Sequence, residues 1–364
     1  MKIVYITNTP SPFQIKWCDF LQKHLDIEFW FLTEFSDKTH GVPDYWKIKL
    51  VPGCRKISLK YKLNGLSYSS TLKEELDKSN PDVIMLGGSW HARYFYSGYR
   101  WAVNNNKKIL VGPVEFSKNL FKLRVIVRNL IVYRLVYKKV DLWMANAFIH
   151  FDYLTMVLGV KSRIFMNYDN YSPYIALPLK RDKEKIVFMF GGAIEKRNRV
   201  LEIIKAFERL VLEYDNIKLV ISGFGSEKKT CNKYVAQSKV LSDSVDFPEI
   251  EEWNEIVDVF GGCDVLINFA NYSPGAGVIL SAVASGMAVI STPSVNASRH
   301  FMIDSFNGYF VYDEQSLSDA MEVYIKNPNI LLQHRSRSRI IAEETLTFDH
   351  HIKDLHNCLK AEKK

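Results

Sequence analysis

The stretch Asn268-Phe-Ala-Asn-Tyr-Ser-Pro-Gly-Ala-Gly-Val-Ile-Leu-Ser-Ala-Val-Ala-Ser-Gly-Met-Ala-Val-Ile-Ser-Thr292 decides the fold. An apolar run over residues 263–269 reads as a strand and enters a loop rich in proline and glycine. Small apolar residues at 278–284 predict a helix, Gly286 is its stop signal, and residues 288–291 read as the next strand. The unit is strand–helix–strand, with its helix opening beside glycines. Unpaired amide N–H groups and the positive end of the helix dipole favour an anion there, typically a phosphate.

Working outward, strand-like runs alternate with helical patterns along the whole chain, which predicts parallel α/β sheets. Residues 2–7, 26–32, 81–88, 108–112 and 140–145 read as strands of a first series. Residues 13–25 and 149–158 read as helices, the second closed by Gly159. The segment Met166-Asn-Tyr-Asp-Asn-Tyr-Ser-Pro-Tyr174 is polar, aromatic and proline-bearing, and it reads as an interdomain linker. A second series follows. Residues 185–192 form a strand ending in two glycines, and Val200, Ile203, Ile204, Phe207, Leu210 and Val211 recur at helical spacing. Strands are expected at 217–222, 245–247 and 307–311, and helices at 253–260, at 316–325 and in the tail. The expected division is 1–170, a linker at 171–182, a second domain at 183–345 and a returning helix at 346–364.

The order of motifs in the second half resembles retaining glycosyltransferases of the GT-B fold, glycosyltransferase family 4. The donor-site motif of that family runs Pro-Ser-x-x-Glu-x-Phe-Gly-(x)4-Glu-Ala-(x)3-Gly. Phe269-Ala-Asn-Tyr-Ser273 and Ser281-Ala-Val-Ala-Ser-Gly286 keep its spacing, with serine in place of both glutamates. Gly191-Gly-Ala-Ile-Glu-Lys-Arg-Asn198 stands where the family has Gly-Arg-Leu-(x)3-Lys-Gly/Asn, Ser222-Gly-Phe-Gly225 where it has Gly-x-Gly, and Gly286-Met-Ala-Val-Ile-Ser-Thr292 where it has Gly-x-Pro-Val-Ile-x-Ser/Thr. The similarity covers residues 183–312; over the first half it is architectural. It implies two Rossmann-like domains facing a central cleft and a C-terminal helix crossing back.

The resemblance also implies a nucleotide-diphosphate sugar donor, a UDP- or GDP-sugar, with no required cofactor and no metal. Gly192 stands at the arginine position of the family and Arg197 aligns with its lysine; Lys196 or Arg199 would supply the missing cation. A guanidinium can grip a phosphate with two bonds. Solvated basic residues at a helix start are the plain alternative. Gly191, Gly192, Gly223 and Gly225 would bring backbone to the nucleotide, Phe247 would lie near the base, and Pro274, Gly275, Ala276 and Gly277 would form the phosphate loop. Ser273 stands where the family contacts the sugar near its reacting carbon, and Ser281 where it binds ribose. Serine hydrogen-bonds but carries no charge and reaches less far. In the first half, His91 after Gly87-Gly-Ser-Trp is a strand-end candidate near the reacting sugar, as are Glu115 and Phe13 for the acceptor side.

Residues 118–139 hold seven lysines and arginines, no acid, and apolar residues in every gap. As a helix this stretch suits an anionic membrane interface, or equally a core helix with a charged outer face. The 364 residues are 47% hydrophobic and 24% charged, as in soluble globular chains, with no run long enough to span a bilayer. The start Met1-Lys-Ile-Val-Tyr-Ile-Thr reads as a strand rather than a signal peptide. Five scattered cysteines (18, 54, 231, 263 and 358) predict reduced thiols and a cytoplasmic location, and on its membrane reading the basic stretch 118–139 would hold the chain peripherally at the inner face of the membrane. The net charge of +8 favours an anionic partner.

The sequence thus predicts an α/β glycosyltransferase of the hexosyl-transferring kind. By the resemblance it would act with retention on a saccharide acceptor, and the membrane reading of the basic stretch makes that acceptor lipid-linked, in bacterial surface polysaccharide synthesis. A viral DNA-modifying transferase and a degenerate binding scaffold are the rival readings. A dinucleotide oxidoreductase lacks its Gly-x-Gly-x-x-Gly after the first strand.

Overall fold

The computed structural model describes residues 1–364 except 8–9, 33–48, 58–60, 64–65, 69–71, 89–91, 113–121, 136, 146–147, 167–170, 180–184, 253, 274–276, 348–351, 354, 358 and 360–364. The chain divides into two units, one made of Met1–Asn170 with Asp349–Lys364, the other of Tyr171–Phe348.

In the first unit the strands are β1 (Ile3–Thr7), β2 (Ile27–Phe31), β3 (Cys54–Lys56), β4 (Tyr61–Leu63), β5 (Leu66–Tyr68), β6 (Val83–Leu86), β7 (Lys108–Val111), β8 (Leu142–Ala145) and β9 (Arg163–Met166). Seven of them form one parallel sheet in the order β3-β2-β1-β6-β7-β8-β9, and β4 and β5 pair apart as an antiparallel hairpin. β1, β6 and β8 are buried at every position, which is why they read as unbroken apolar runs rather than alternating ones. Val4, Ile6, Trp30, Leu86, Phe95 and Trp143 are among the residues of the core. The expected helix over 149–158 is an α-helix, Phe148–Asp152, continued by a π-helical turn, Tyr153–Val157, and Gly159 follows at φ +64°. Lys108 Nζ donates to the Leu359 carbonyl at 2.6 Å, so the chain's last segment lies on this unit.

The second unit holds β10 (Ile186–Ala193), β11 (Ile217–Phe224), β12 (Val245–Asp246), β13 (Val265–Asn268), β14 (Ala288–Ser291) and β15 (Gly308–Phe310). They form one parallel sheet in the order β12-β11-β10-β13-β14-β15. The chain leaves β10 toward one edge, returns to β13 and continues to the other, so the order reverses between β10 and β13. In such sheets the ligand crevice opens beyond the carboxyl ends of the strands at that reversal. The helix Val200–Val211 packs its Val200, Ile203, Ile204, Phe207 and Leu210 face into the core, as its spacing predicts.

Residues 171–179 belong to the second unit and include a one-turn helix, Ser172–Ile175. Arg339, on the long helix Pro328–Thr345, donates to the carbonyls of Ile175 and Leu177, and the Tyr174 ring packs edge-on against Phe260 at 5.5 Å.

Candidate functional site

The reversal between β10 and β13 is where the sequence motifs meet. β10 ends in Gly191, Gly192 and Ala193; β11 runs beside it in register, pairing Gly192 with Gly223 and Ala193 with Phe224. A Cβ on Gly223 would sit 1.8 Å from the Gly192 carbonyl oxygen, and one on Gly225 would sit 2.4 Å from the Ile194 carbonyl oxygen. The two strands therefore approach at a distance that only glycine permits. Gly192 holds φ +119°, and beyond it lies Val278 of the helix Gly277–Ala284, 3.5 Å from where a Cβ would be. The glycine tip of β10 thus faces the first turn of the helix expected to hold phosphate. Around Gly277 itself a Cβ would meet nothing within 4 Å.

After β10 the chain turns through a 3₁₀ segment, Lys196–Asn198, and enters the helix Val200–Val211 through Arg199 at φ +52°. This turn is fastened on two sides. Glu195 accepts from the Ser226 amide at 3.2 Å and the Ser226 hydroxyl at 2.8 Å, tying it to the glycine loop after β11. The Asn271 amide donates to the Arg197 carbonyl at 2.8 Å, and the Arg197 guanidinium donates to the Tyr272 carbonyl at 3.1 Å. Lys196 and Arg197 are both solvent-exposed. Arg199 is engaged otherwise: its guanidinium lies 3.8 Å over the Phe269 ring and 3.7 Å from Glu202. Of the two substitutes considered for the second phosphate cation, Lys196 is the one left facing solvent beside Arg197.

Ser273 belongs to the loop after β13, which is pinned from its other side. The Asn296 amide donates to the Ser273 carbonyl at 3.1 Å, and Ser273 bridges Val295 in parallel fashion. Thr292 Oγ1 donates to the Ala270 carbonyl at 2.6 Å, and Ser298 Oγ to Ser291 Oγ at 2.6 Å. Burial pushes the Tyr272 phenol up, with hydrogen bonding to Asn296 and the charge of Arg197 acting against that. Three loops, after β10, β13 and β14, are locked together by backbone bonds, so their amides are held in place before any ligand arrives.

Ser281 lies differently. It is 3% exposed inside the helix Gly277–Ala284, and its hydroxyl pairs with the Tyr174 phenol. Burial raises the Tyr174 pKa, and the bond with Ser281 opposes this. Phe247 follows β12, partly buried against the core. Of the remaining candidates, His91, Glu115, Pro274, Gly275 and Ala276 lie outside the described residues. So does the side chain of Phe13; its backbone is in the helix Pro12–Leu21, which Ser11 caps by accepting from the Gln14 amide. The anchoring roles of Glu195 and Tyr174 were not foreseen. Glu195 carries a local signal, an acid next to a basic turn, whereas Tyr174 carries none, since its partner is remote in sequence. Among the described residues no group of three or more His, Cys, Asp or Glu could hold a metal ion.

Residues 177–344 match the family model Glycosyl transferases group 1. The chain is a glycosyltransferase. The matched domain contains every motif assembled around β10, β13 and β14 and leaves out residues 171–176 and 345–348 of the Tyr171–Phe348 unit. Solved structures align over nearly the whole length. HepE from Anabaena, in complex with UDP, is 14% identical with a TM-score of 0.72 and covers 99% of each chain. A glycosyltransferase from Rickettsia africae is 12% identical with a TM-score of 0.72, again over 99% of each chain. Sucrose-phosphate synthase from Thermosynechococcus elongatus is 14% identical with a TM-score of 0.69, over 99% of this chain and 98% of its own. At such identities the likeness speaks for architecture: the glycosyltransferase has a two-domain, Rossmann-like GT-B fold. No curated protein matches the chain.

Proposed function

We propose that this glycosyltransferase is a member of glycosyltransferase family 4 that moves a hexose from a UDP- or GDP-sugar to a saccharide acceptor with retention. The observation that carries the proposal is the meeting, at the reversal between β10 and β13, of the Gly192 tip, the Lys196–Asn198 turn with its exposed Lys196 and Arg197, and the first turn of the helix Gly277–Ala284. Arg197 and Lys196 would hold the diphosphate, and backbone amides near Gly277 would receive its remaining charge. Structural relatives solved with UDP support a uridine donor. In the transfer the bond from the sugar's anomeric carbon to the diphosphate oxygen breaks, and the acceptor oxygen bonds to that carbon from the same face. The acceptor proton passes to the departing diphosphate. Charge builds on the leaving group as the bond breaks, and fixed cations and amides stabilise it there. No required cofactor or metal is proposed.

We propose His91 and Ser273 as contacts of the reacting sugar, Phe13 and Glu115 as acceptor-side residues, and Gly191, Gly223, Gly225 and Phe247 as residues along the nucleotide. For Ser281 we propose a supporting role in place of ribose contact, because its hydroxyl is buried against Tyr174. The acceptor is proposed to be a lipid-linked saccharide of a bacterial surface polysaccharide, met by an enzyme peripheral at the inner face of the membrane. Titration calorimetry with UDP, GDP and a panel of their sugars tests the donor, and NMR of the product's anomeric signal tests retention. Binding of none of these nucleotides would reduce the chain to a scaffold; an inverted product would remove it from family 4.

A further inference from the structure

The helix Leu123–Leu135 has two unlike faces. On one, Ile126, Leu130, Val132 and Tyr133 pack partly buried against the core of the first unit. Asn129, 2% exposed, donates from its side-chain amide to the Tyr153 hydroxyl at 3.0 Å. These contacts fix how the helix is turned. On the other face Leu123, Val127, Ile131 and Leu135 are exposed, at 76%, 46%, 53% and 75%. They recur every fourth residue, so they form one continuous stripe that drifts about 40° around the axis per step. Lys122, Arg124, Arg128, Arg134, Lys138 and Lys139 are exposed along and just beyond the same helix, and residues 118–139 contain no acid. Met156, 82% exposed, lies on the π-helical turn Tyr153–Val157 that the Asn129–Tyr153 bond joins to this helix. Large aliphatic side chains standing singly in water are ordinary; a row of four interleaved with arginines is not.

We propose that this stripe docks the protein on an anionic phospholipid bilayer, with the helix lying in the plane of the interface. Leu123, Val127, Ile131 and Leu135 enter the acyl boundary while the arginines and lysines meet headgroup phosphates. Thirteen residues make a rod of only about 20 Å, too short for a bilayer core of about 30 Å, so it lies flat rather than crossing. Among the described residues no helix is long and apolar enough to cross a membrane. A second copy of the chain would set cations against cations, and a nucleic acid would leave the aliphatic row in water. Only an anionic, apolar-cored surface matches both chemistries. The inference deepens the proposed function, on whose lipid-linked acceptor it rests, by assigning the surface that brings the enzyme to that acceptor.

Flotation of the full chain with phosphatidylcholine vesicles, with and without phosphatidylglycerol, tests it. The expected result is binding only when phosphatidylglycerol is present, weakened by salt. Binding should fall about tenfold or more in Leu123→Ser/Ile131→Ser, whose side chains are exposed and whose removal leaves the core intact. Arg124→Gln/Arg128→Gln should bind more weakly at low salt and show a shallower salt dependence, since four of the six exposed cations remain. Wild-type protein that binds neither vesicle, or a serine variant that binds as well as wild type, overturns the proposal. So does light scattering in which that variant converts a dimer to a monomer without changing flotation. Calorimetry with UDP on the same samples separates the two readings. A chain that binds UDP but does not float loses only the docking surface; one that floats but binds no nucleotide loses only the sugar-transfer reading.

Discussion

Arg335 and Asp264 form an ion pair of 2.8 Å, with side-chain exposures of 6% and 1%. The second Asp264 oxygen accepts the Val187 amide at 2.9 Å, and Arg335 Nε donates to the Gly286 carbonyl at 3.1 Å. One buried pair thereby fastens the start of β10, the approach to β13, the stop of the helix Gly277–Ala284 and the long helix Pro328–Thr345. Removing one partner strands a charge away from water, which costs about 3–5 kcal/mol. Asp264→Ala and Arg335→Met are each expected to lower the unfolding free energy of the second unit, read from urea titration, by that order. A loss below about 1 kcal/mol would mean the pair is not a structural clasp.

Arg197 and Lys196 give a prediction about affinity without stability. Both side chains are exposed, so Arg197→Ala, which loses one exposed bond to the Tyr272 carbonyl, should lower the melting temperature only slightly while weakening UDP binding about tenfold to a hundredfold, the worth of one charge-assisted bond. Arg197→Lys should recover only part, since an ammonium cannot fork across two oxygens. Unaltered UDP affinity in Arg197→Ala/Lys196→Ala would remove both residues from the phosphate site.

Tyr174 and Ser281 should couple in a double-mutant cycle. Tyr174→Phe and Ser281→Ala are each expected to cost about 1 kcal/mol, and the double variant less than their sum. Ser281→Glu, which restores the family residue, would drive a carboxylate into a site 3% exposed and should destabilise the fold without raising activity. A stable, more active Ser281→Glu enzyme would show that the position faces the ribose after all.

His150 predicts the acid response of the first unit. Burial lowers its pKa from 6.5 to about 4. Between those values the unfolded chain binds a proton that the folded chain does not, so this contribution to stability is whole above pH 6.5 and drains away as pH falls toward about 4. The slope approaches about 1.4 kcal/mol per pH unit for one such group. Thermal melts of His150→Gln from pH 7 to 4.5 should show a flatter decline than wild type; parallel curves would assign the acid sensitivity elsewhere. His300, lowered to about 4 by burial as well, adds a matching decline in the second unit.

Much of this was legible in the residues themselves, for a physical reason. Strands buried on both faces, such as Val265–Asn268 and Ala288–Ser291, must be apolar throughout, and the turns between them need glycine. The edge strands left no such trace. Cys54–Lys56 has two charged residues in three, and the hairpin Tyr61–Leu63 with Leu66–Tyr68 is too short to show a period. The exposed turn that carries Arg197 was readable because its motif is local, and the phosphate role proposed for Arg197 starts from that motif. The Tyr174–Ser281 contact was not, since it joins a segment read as linker to a distant helix. Nor could periodicity tell which apolar strip of Leu123–Leu135 faces the core: Ile126 and Leu130 do, while Leu123 and Ile131 do not.

The bond from Lys108 to the Leu359 carbonyl has an implication for biosynthesis. Because Asp349–Lys364 joins Met1–Asn170, the first unit is discontinuous along the chain, whereas Tyr171–Phe348 is one uninterrupted segment. On the ribosome the uninterrupted segment can finish folding while the earlier-made half still waits for its closing piece. The order of maturation would then run opposite to the order of translation, and the nascent amino-terminal half would be the part most in need of chaperones.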